Sequence, residues 1–491
     1  MDTVDATRRI RPAVLAAAAV LAAAVVLAGH AVSHAAALPP VATGDSRTVT
    51  EPALPATTCA TLSSGLTMTS RKSGTTQEQT PPDTARIQAA LTGCTQSGTT
   101  PVAVKLVASG THAAFLTAPL TIPAGVALVV DSGVTLFASL NAADYQVTNA
   151  AATCGTVSAN SGGCRPFITV NGANAGIEAV RTASGAQGRI DARGDLAING
   201  TSTTWWDLAA QAKSSGLTQN NPRMIQTSHA NNFTLYDIDL LNAPNFHVSY
   251  QNGTGFTAWG VRIKTPATAG NTDGIDPSGA TDVTIAFSYI QDGDDGVAIK
   301  AGSVASKNIT VRDSNFYGTH GISIGSETSA GVSNVLVERN TLTGTDSAGN
   351  AGGSTIGVRI KSSPAAGGLV NEVSYLSTCA TLVKQPLVFD THYANGTGST
   401  TPSFTNILVN GFRSTSSVSS GTNVMDGLSA SFPLGLTLEN VSLDKTSTTA
   451  EFANVGLFDS NVTPSGTGVT TSTVAGSGSV PACSFPTYPA L

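Results

Sequence analysis

Short runs in which apolar and polar residues alternate recur along the middle of the chain. The clearest begin near Phe233 (NFTLYDIDL), Phe256 (GFTAWGVRI), Val283 (DVTIAFSYI), Ile309 (NITVRDSNF) and Val335 (NVLVERNTL), at steps of 23, 27, 26 and 26 residues. Looser copies begin near Val373, Ile407 and Leu436. Alternation of period two puts one face of each run inside and the other outside, as a half-buried strand requires. Many runs end in Asn, Asp or Gly, residues that turn a chain. A strand-and-turn unit repeated every 20–30 residues predicts a solenoid. The fixed leucine and asparagine pattern of leucine-rich repeats is absent. The expected fold is therefore all-β, a right-handed parallel β-helix whose coils stack about 4.8 Å apart.

A solenoid needs its open ends covered. One strong helical stretch, 83–92, precedes the repeats, with Asp83 placed to cap it and Gly93 to end it. It is expected to close the N-terminal end of the coil. A second, short helix is expected near Trp206 to Ala212. Residues 59–491 read as a single β-helix domain, and the Pro/Thr/Ala-rich stretch 38–58 as a flexible lead-in. Arg8, Arg9 and Arg11 precede an apolar run from Ala13 to Gly29. Small residues follow at Ser33-His34-Ala35 and Ala35-Ala36-Ala37. That order predicts a signal peptide over 1–37 and a secreted, extracellular protein, with a retained anchor as the alternative.

Composition agrees with turns and strands rather than charged helices. Only 11% of residues are charged, and there are 50 glycines among 491 residues. The formal net charge of -6 carries no basic footprint of a nucleic-acid binder. Six cysteines, at 59, 94, 154, 164, 379 and 483, fit disulfides in an exported protein. Sequence proximity favours Cys59–Cys94, Cys154–Cys164 and Cys379–Cys483.

Four motifs carry the candidate chemistry: Asn271-Thr272-Asp273-Gly274, Gly293-Asp294-Asp295-Gly296, Gly318-Thr319-His320-Gly321 and Arg359-Ile360-Lys361. The steps from Asp273 to Asp294, to His320 and to Arg359 are 21, 26 and 39 residues, the last spanning a Gly/Ser-rich insertion at 344–354. Each motif alone is ordinary in a β-helix, where Asx residues serve turns. At coil spacing they predict four neighbouring rungs that present carboxylates, an imidazole and two cations along one face. Crowded carboxylates repel, so at least one should hold its proton to higher pH, which separates an acid from a base. Glycoside hydrolysis needs that pair. Asp276 and Asp292 are expected as turn residues, His247 and Lys300 as packing or cleft groups, and Trp205 and Trp206 as packing aromatics.

The order NTD, DD, HG, RIK resembles the polygalacturonases, family 28 of the glycoside hydrolases. Further stretches look like bacterial endopolygalacturonases, among them GRIDARGD (188–195), NNPRMIQ (220–226), LLNAPNFHVSY (240–250) and PLVFDTHY (386–393). The likeness extends over roughly residues 80–450. It implies a β-helix that hydrolyses α-1,4-galacturonosidic links of polygalacturonate with inversion, as a monomer, without cofactor or metal. It also implies roles. Asp294 matches the general acid, Asp273 and Asp295 the pair that holds and activates water, and His320 the imidazole that supports the acid. Arg359, Lys361 and Tyr393 match substrate-binding residues. Two positions depart from the family pattern. Thr319 replaces a glycine and puts a side chain beside His320, and Gly296 replaces a frequent cysteine. The competing readings are an exo-acting enzyme, a rhamnogalacturonan or xylogalacturonan hydrolase, a pectate lyase and a non-catalytic β-helix adhesin.

Overall fold

The computed structural model describes residues 38–94, 100–394 and 396–491. The apolar run of the expected signal peptide lies outside them. Coils in the middle of the stack have three strands, in one coil Ile275–Ser278, Thr281–Ala286 and Tyr289–Gln291. From Leu369–Thr381 onward the second and third run together as one. The first strands of successive coils form an eleven-stranded ladder from Leu120–Pro123 to Thr448–Glu451, and the other two sets belong to a 22-stranded sheet. Neighbouring coils pair in parallel throughout these ladders. The expected parallel β-helix is the fold observed.

Register explains how the core fills. Val248, Ile275, Val297, Ile322, Val358 and Leu387 stand one above another in the first ladder, each at most 1% exposed. The branched residues of each run therefore pack on their counterparts one coil away, and the alternation seen in the sequence becomes a continuous apolar column. Corner residues stack too. Asp282, Asn308 and Asn334 share one register position with φ of 56°, 58° and 54°. Their side chains hydrogen-bond along the axis, Asn334 Nδ2 to Asn308 Oδ1 at 2.9 Å and Asn308 Nδ2 to Asp282 Oδ1 at 3.0 Å. Asn and Asp tolerate this left-handed conformation, which is why they recur at the turns.

The capping helix spans Thr84–Gly93 and buries Ile87 and Leu91. Gln88 continues the ladder it covers, accepting from Thr121 N at 2.9 Å and donating to Thr121 O at 3.0 Å. Asp83 does not cap the helix. Its carboxylate instead accepts from Leu116 N at 2.7 Å and pairs with Arg86. The second helix runs Trp205–Ser215, longer than expected, between a Thr204/Asp207 capping box and left-handed Gly216. All three disulfides join the expected partners.

The stretch expected to be a flexible lead-in is instead bonded along the second-strand ladder. Ala42 N donates to Ser374 Oγ, Gly44 N to Asn334 Oδ1, Asp45 N to Thr310 Oγ1 and Ser46 N to Asp282 Oδ1. Arg47 reaches the carbonyls of Gly255 and Phe256, and Tyr236 donates to Glu51. This strap crosses several coils on its way to the N-terminal strand Thr58–Ser63.

Near it lies Glu178, 2% exposed, with one oxygen lacking a donor. Burial pushes its carboxyl up to about 8. The folded state then binds a proton that the unfolded state has released, so stability falls as pH rises from about 4.5 to about 8. Glu178→Gln is expected to flatten that fall in a melting series, and an unchanged slope counts against a proton held there.

Candidate active site

The acidic residues sit at the turns that lead into the first-strand ladder. Ile275 pairs with Val297 and Val297 with Ile322. Two residues before each of these stand Asp273, Asp295 and His320, which therefore form one column. Asp273 thus has Asp295, not Asp294, as its partner on the next rung. Backbone bonds lock the arrangement: Gly274 N donates to Asp295 O and His247 N to Asp273 O. Two glycines make the turns close enough. A Cβ on Gly293 would lie 2.0 Å from Ala269 O, and one on Gly274 would lie 2.3 Å from Gly296 O.

Asp295 is 1% exposed and fully engaged. Lys361 Nζ lies 2.6 Å from one oxygen, and Ser323 Oγ (2.7 Å) and Arg359 Nη1 (3.5 Å) approach the other. Arg359 and Lys361, only 5% and 6% exposed, are held beneath the ring of Tyr393 at 4.7 and 4.9 Å. Tyr393 itself is 45% exposed. The expected cation rung is therefore present, but it faces Asp295 and a tyrosine lid rather than open solvent. One ligand atom each of Asp294, Asp295 and His320 lies within 4.8 Å of the others, a spacing open to a metal. A divalent ion there would meet the two fixed cations already paired to Asp295, so the donor set fits a metal poorly.

Asp294 is the carboxylate that reaches the cleft. Its Oδ1 is 3.0 Å from His320 Nδ1, and Asn271 Nδ2 stands 3.5 Å from its Oδ2. Burial would raise its carboxyl, but the hydrogen bond and charge of His320, then Lys361, hold it below the usual carboxylate range. Asp273 goes the other way. Burial, then the charges of Asp276 and Asp294, push it well above that range, although Lys300 opposes them. The expected split between carboxylates is present, with the higher proton affinity on Asp273 and the lower on Asp294. Asp276 lies in the strand Ile275–Ser278 rather than in a turn, whereas Asp292 serves the turn as expected, accepting from Asp294 N at 2.9 Å. Burial lifts Asp276 to about 6 despite its 2.7 Å contact with Lys300, and lifts Asp292 well above the ordinary value. His247 is buried and bonded at both nitrogens, to Thr265 Oγ1 and to the carbonyls of Thr272 and Asp273. Burial lowers its pKa to about 4, so it is neutral and positions the Asp273 backbone.

The two departures from the expected motif meet in space. Thr319 is 3% exposed and does not crowd the cleft. Its Cγ2 would lie 3.2 Å from a Cβ on Gly296, so the missing side chain at one position leaves room for the extra one at the other.

A cavity of about 1100 Å³ opens beside Asp294, His320 and Tyr393. Small-ligand pockets rarely exceed about 1,000 Å³, so the cleft suits an extended chain. The Trp205–Ser215 helix contributes Lys213 to its wall, and the 344–354 insertion reaches it through Gly353 and Ser354. Arg223 and Phe246, which also line it, belong to none of the four motifs. Arg223 stacks on Phe246 at 4.9 Å, and Lys300 lies over the same ring at 4.4 Å. Arg223 and Phe246 stand two residues before Ile225 and Val248. That is the offset of Asp273 from its strand, so the repeat itself is the signal that would find them.

A parallel β-helix carrying a cleft-facing carboxylate–imidazole pair, a buried carboxylate with fixed cations and a long cleft defines a glycoside hydrolase of the solenoid class. The family model for Glycosyl hydrolases family 28 matches residues 121–465. An endo-polygalacturonase of Pectobacterium carotovorum subsp. carotovorum is 42% identical over 407 residues, covering 82% of this chain and 91% of that one. A polygalacturonase of Ralstonia solanacearum is 39% identical, with 84% of each chain covered. The solved polygalacturonase from Erwinia carotovora ssp. carotovora superposes with a TM-score of 0.72 at 40% identity, covering 84% of this chain and 99% of that one. The chain belongs to glycosyl hydrolases family 28.

Proposed function

We propose that this hydrolase cuts α-1,4-galacturonosidic links within polygalacturonate, acts on internal bonds and works outside the cell. The observation that carries the reading is the Asp294–His320 pair at the cleft surface above the Asp295–Lys361–Arg359 cluster. A proton donor must reach the leaving oxygen, and Asp294, unlike Asp273, lines the cavity. In the free protein Asp294 favours the anion because the hydrogen bond from His320 and the nearby Lys361 stabilise it. Substrate entry reverses that preference. It strips water from the carboxylate, and a uronate brought near Arg359 and Lys361 offsets the positive charge that now depresses Asp294. Asp294 can then carry the proton that it gives to the leaving oxygen. Asp295 takes the proton of the attacking water, and Asp273, whose neutral form burial favours, orients that water by a hydrogen bond on the opposite face of the ring, the arrangement that inverts the anomeric centre. Tyr393, lying over both cations, contacts the sugar.

Sequence likeness to endo-polygalacturonases and the roomy cleft of about 1100 Å³ support internal cleavage. The test is reducing-sugar release from polygalacturonate and from rhamnogalacturonan, with products resolved at low conversion. A ladder of oligomers from polygalacturonate is expected. Monomer or dimer alone would turn the reading to exo action, and no release from polygalacturonate would sink it.

A further inference from the structure

The corner between the second and third strands carries a second candidate site, away from the corner that bears the acids. Corner residues stack there as they do elsewhere. Asp237, Gly260, Phe287, Asp313 and Arg339 follow one another in register, with φ of 48°, 64°, 52°, 50° and 53°. Phe287 is the anomaly. A bulky aromatic in left-handed backbone is strained, and such strain persists where something else requires the residue. Leu382 and Phe452 share the conformation, and Phe287 borders a cavity.

That cavity, about 300 Å³, is lined by Arg181, Gln187, Arg262, Phe287, Tyr289 and Asn315 among others. Phe287 is 43% exposed, meets Trp259 at 4.6 Å with the rings tilted by 44°, and is covered from one side by Arg312 at 5.2 Å. Gln187 is 1% exposed, and its Nε2 donates to Asp237 Oδ1 and Gly260 O, both at 3.1 Å. Those two acceptors fix the amide, so Oε1 is an acceptor, and it has no donor. The acids nearby are neutralised: Asp313 by Arg339 and Arg312, Asp239 by Arg262. Arg181 keeps spare capacity. It is half exposed and approaches Asp237 only to 3.6 Å.

We propose that this corner binds a uronate residue of polygalacturonate as a non-catalytic subsite. The ring lies against Phe287, a hydroxyl donates to Gln187 Oε1, and Arg181 pairs with the carboxylate. The proposal rests on the substrate reading above for the identity of the polymer. Its role is to hold the enzyme on the chain between cuts, so its loss weakens binding of polymer and spares turnover of short oligomers.

The experiment uses the full chain carrying Phe287→Gly and Arg181→Ala together. Glycine suits the left-handed corner, as Gly260 shows one coil away, so the fold should persist. Retardation in native gels containing polygalacturonate is measured in an Asp294→Asn background, which keeps the gel intact, with neutral galactan as control. Hydrolysis of trigalacturonate is measured without Asp294→Asn. An increase of about tenfold in the apparent Kd for polygalacturonate, with kcat/KM on trigalacturonate unchanged, is expected. Unchanged retardation overturns the subsite, and so does an equal loss on trigalacturonate. Failure of the unsubstituted protein to cleave polygalacturonate would refute the substrate reading instead, a result the gel assay does not depend on.

Discussion

Asp294→Asn is expected to lower kcat on polygalacturonate by about 10²–10⁴-fold while KM changes little. The amide keeps the shape of the carboxyl and can still meet His320 and Asn271, but it has no proton to give the leaving oxygen. Binding is carried by other groups, so the loss falls on the chemical step. Asp294 is also hydrogen-bonded to His320 at 3.0 Å, with a fifth of its side chain exposed. Pairs that water reaches contribute little to stability, and the melting temperature should move by only a few degrees. A KM that rises in step with the fall in kcat/KM would mark Asp294 as a binding group rather than the acid. The test separates two assignments that differ physically. By proton affinity alone Asp273 would be the acid, because burial and its acidic neighbours favour its neutral form. By access Asp294 is the acid, and Asp273→Asn should then impair water activation without abolishing binding.

Glu78→Ala is expected to destabilise the protein by about 3–5 kcal/mol, read from the urea or thermal midpoint. Arg193 has no exposed surface, and Glu78 meets it with two hydrogen bonds, Nη1 to Oε1 at 2.8 Å and Nη2 to Oε2 at 3.0 Å. Removing the carboxylate leaves a guanidinium buried without its counter-charge. Its remaining bonds, to Ala138 O and Arg71 O, leave two of its N–H donors as well as its charge without a partner. The paired change Glu78→Leu with Arg193→Met should recover most of the loss, since neither charge is then stranded. A drop below about 1 kcal/mol for the single change would mean that water reaches Arg193 on mild local opening.

The repeat makes the fold legible, because a stacked coil imposes one spacing on apolar positions, turn residues and active-site residues alike. From that spacing alone, Asp273, the Asp294–Asp295 pair, His320 and the two cations fall on neighbouring rungs. What spacing leaves open is register to a single residue. Steps of 21 and 22 residues both suit one coil, and only the strand register puts Asp295 beside Asp273, while Asp294 lines the cleft. Access to solvent, which separates the acid from the water-holding pair, is decided by that one-residue difference. Asp83 departs from expectation for a related reason. A residue in the N-cap position can serve the helix or a neighbouring strand, and here Leu116 N wins its carboxylate. The strap over 42–51 has no local signature, because its partners, such as Asn334 and Asp282, lie more than 200 residues away. Phe287 likewise reads as one more member of an alternating run. Only the dihedral angle at its corner sets it apart.

That strap changes how the molecule can come apart. A stack of coils linked only to nearest neighbours behaves as a one-dimensional array, able to peel from an end or part in the middle. Residues 42–51 connect the coil of Ser374 to those of Asn334, Thr310, Asp282 and Phe256. These coils flank the acids on both sides. Separating any two of them requires the strap to let go as well, so their openings are tied into one event. The fine alignment that puts Asp294 at the surface and Asp295 beneath it is thus guarded from the far side of the coil, by a segment that touches none of the reacting groups.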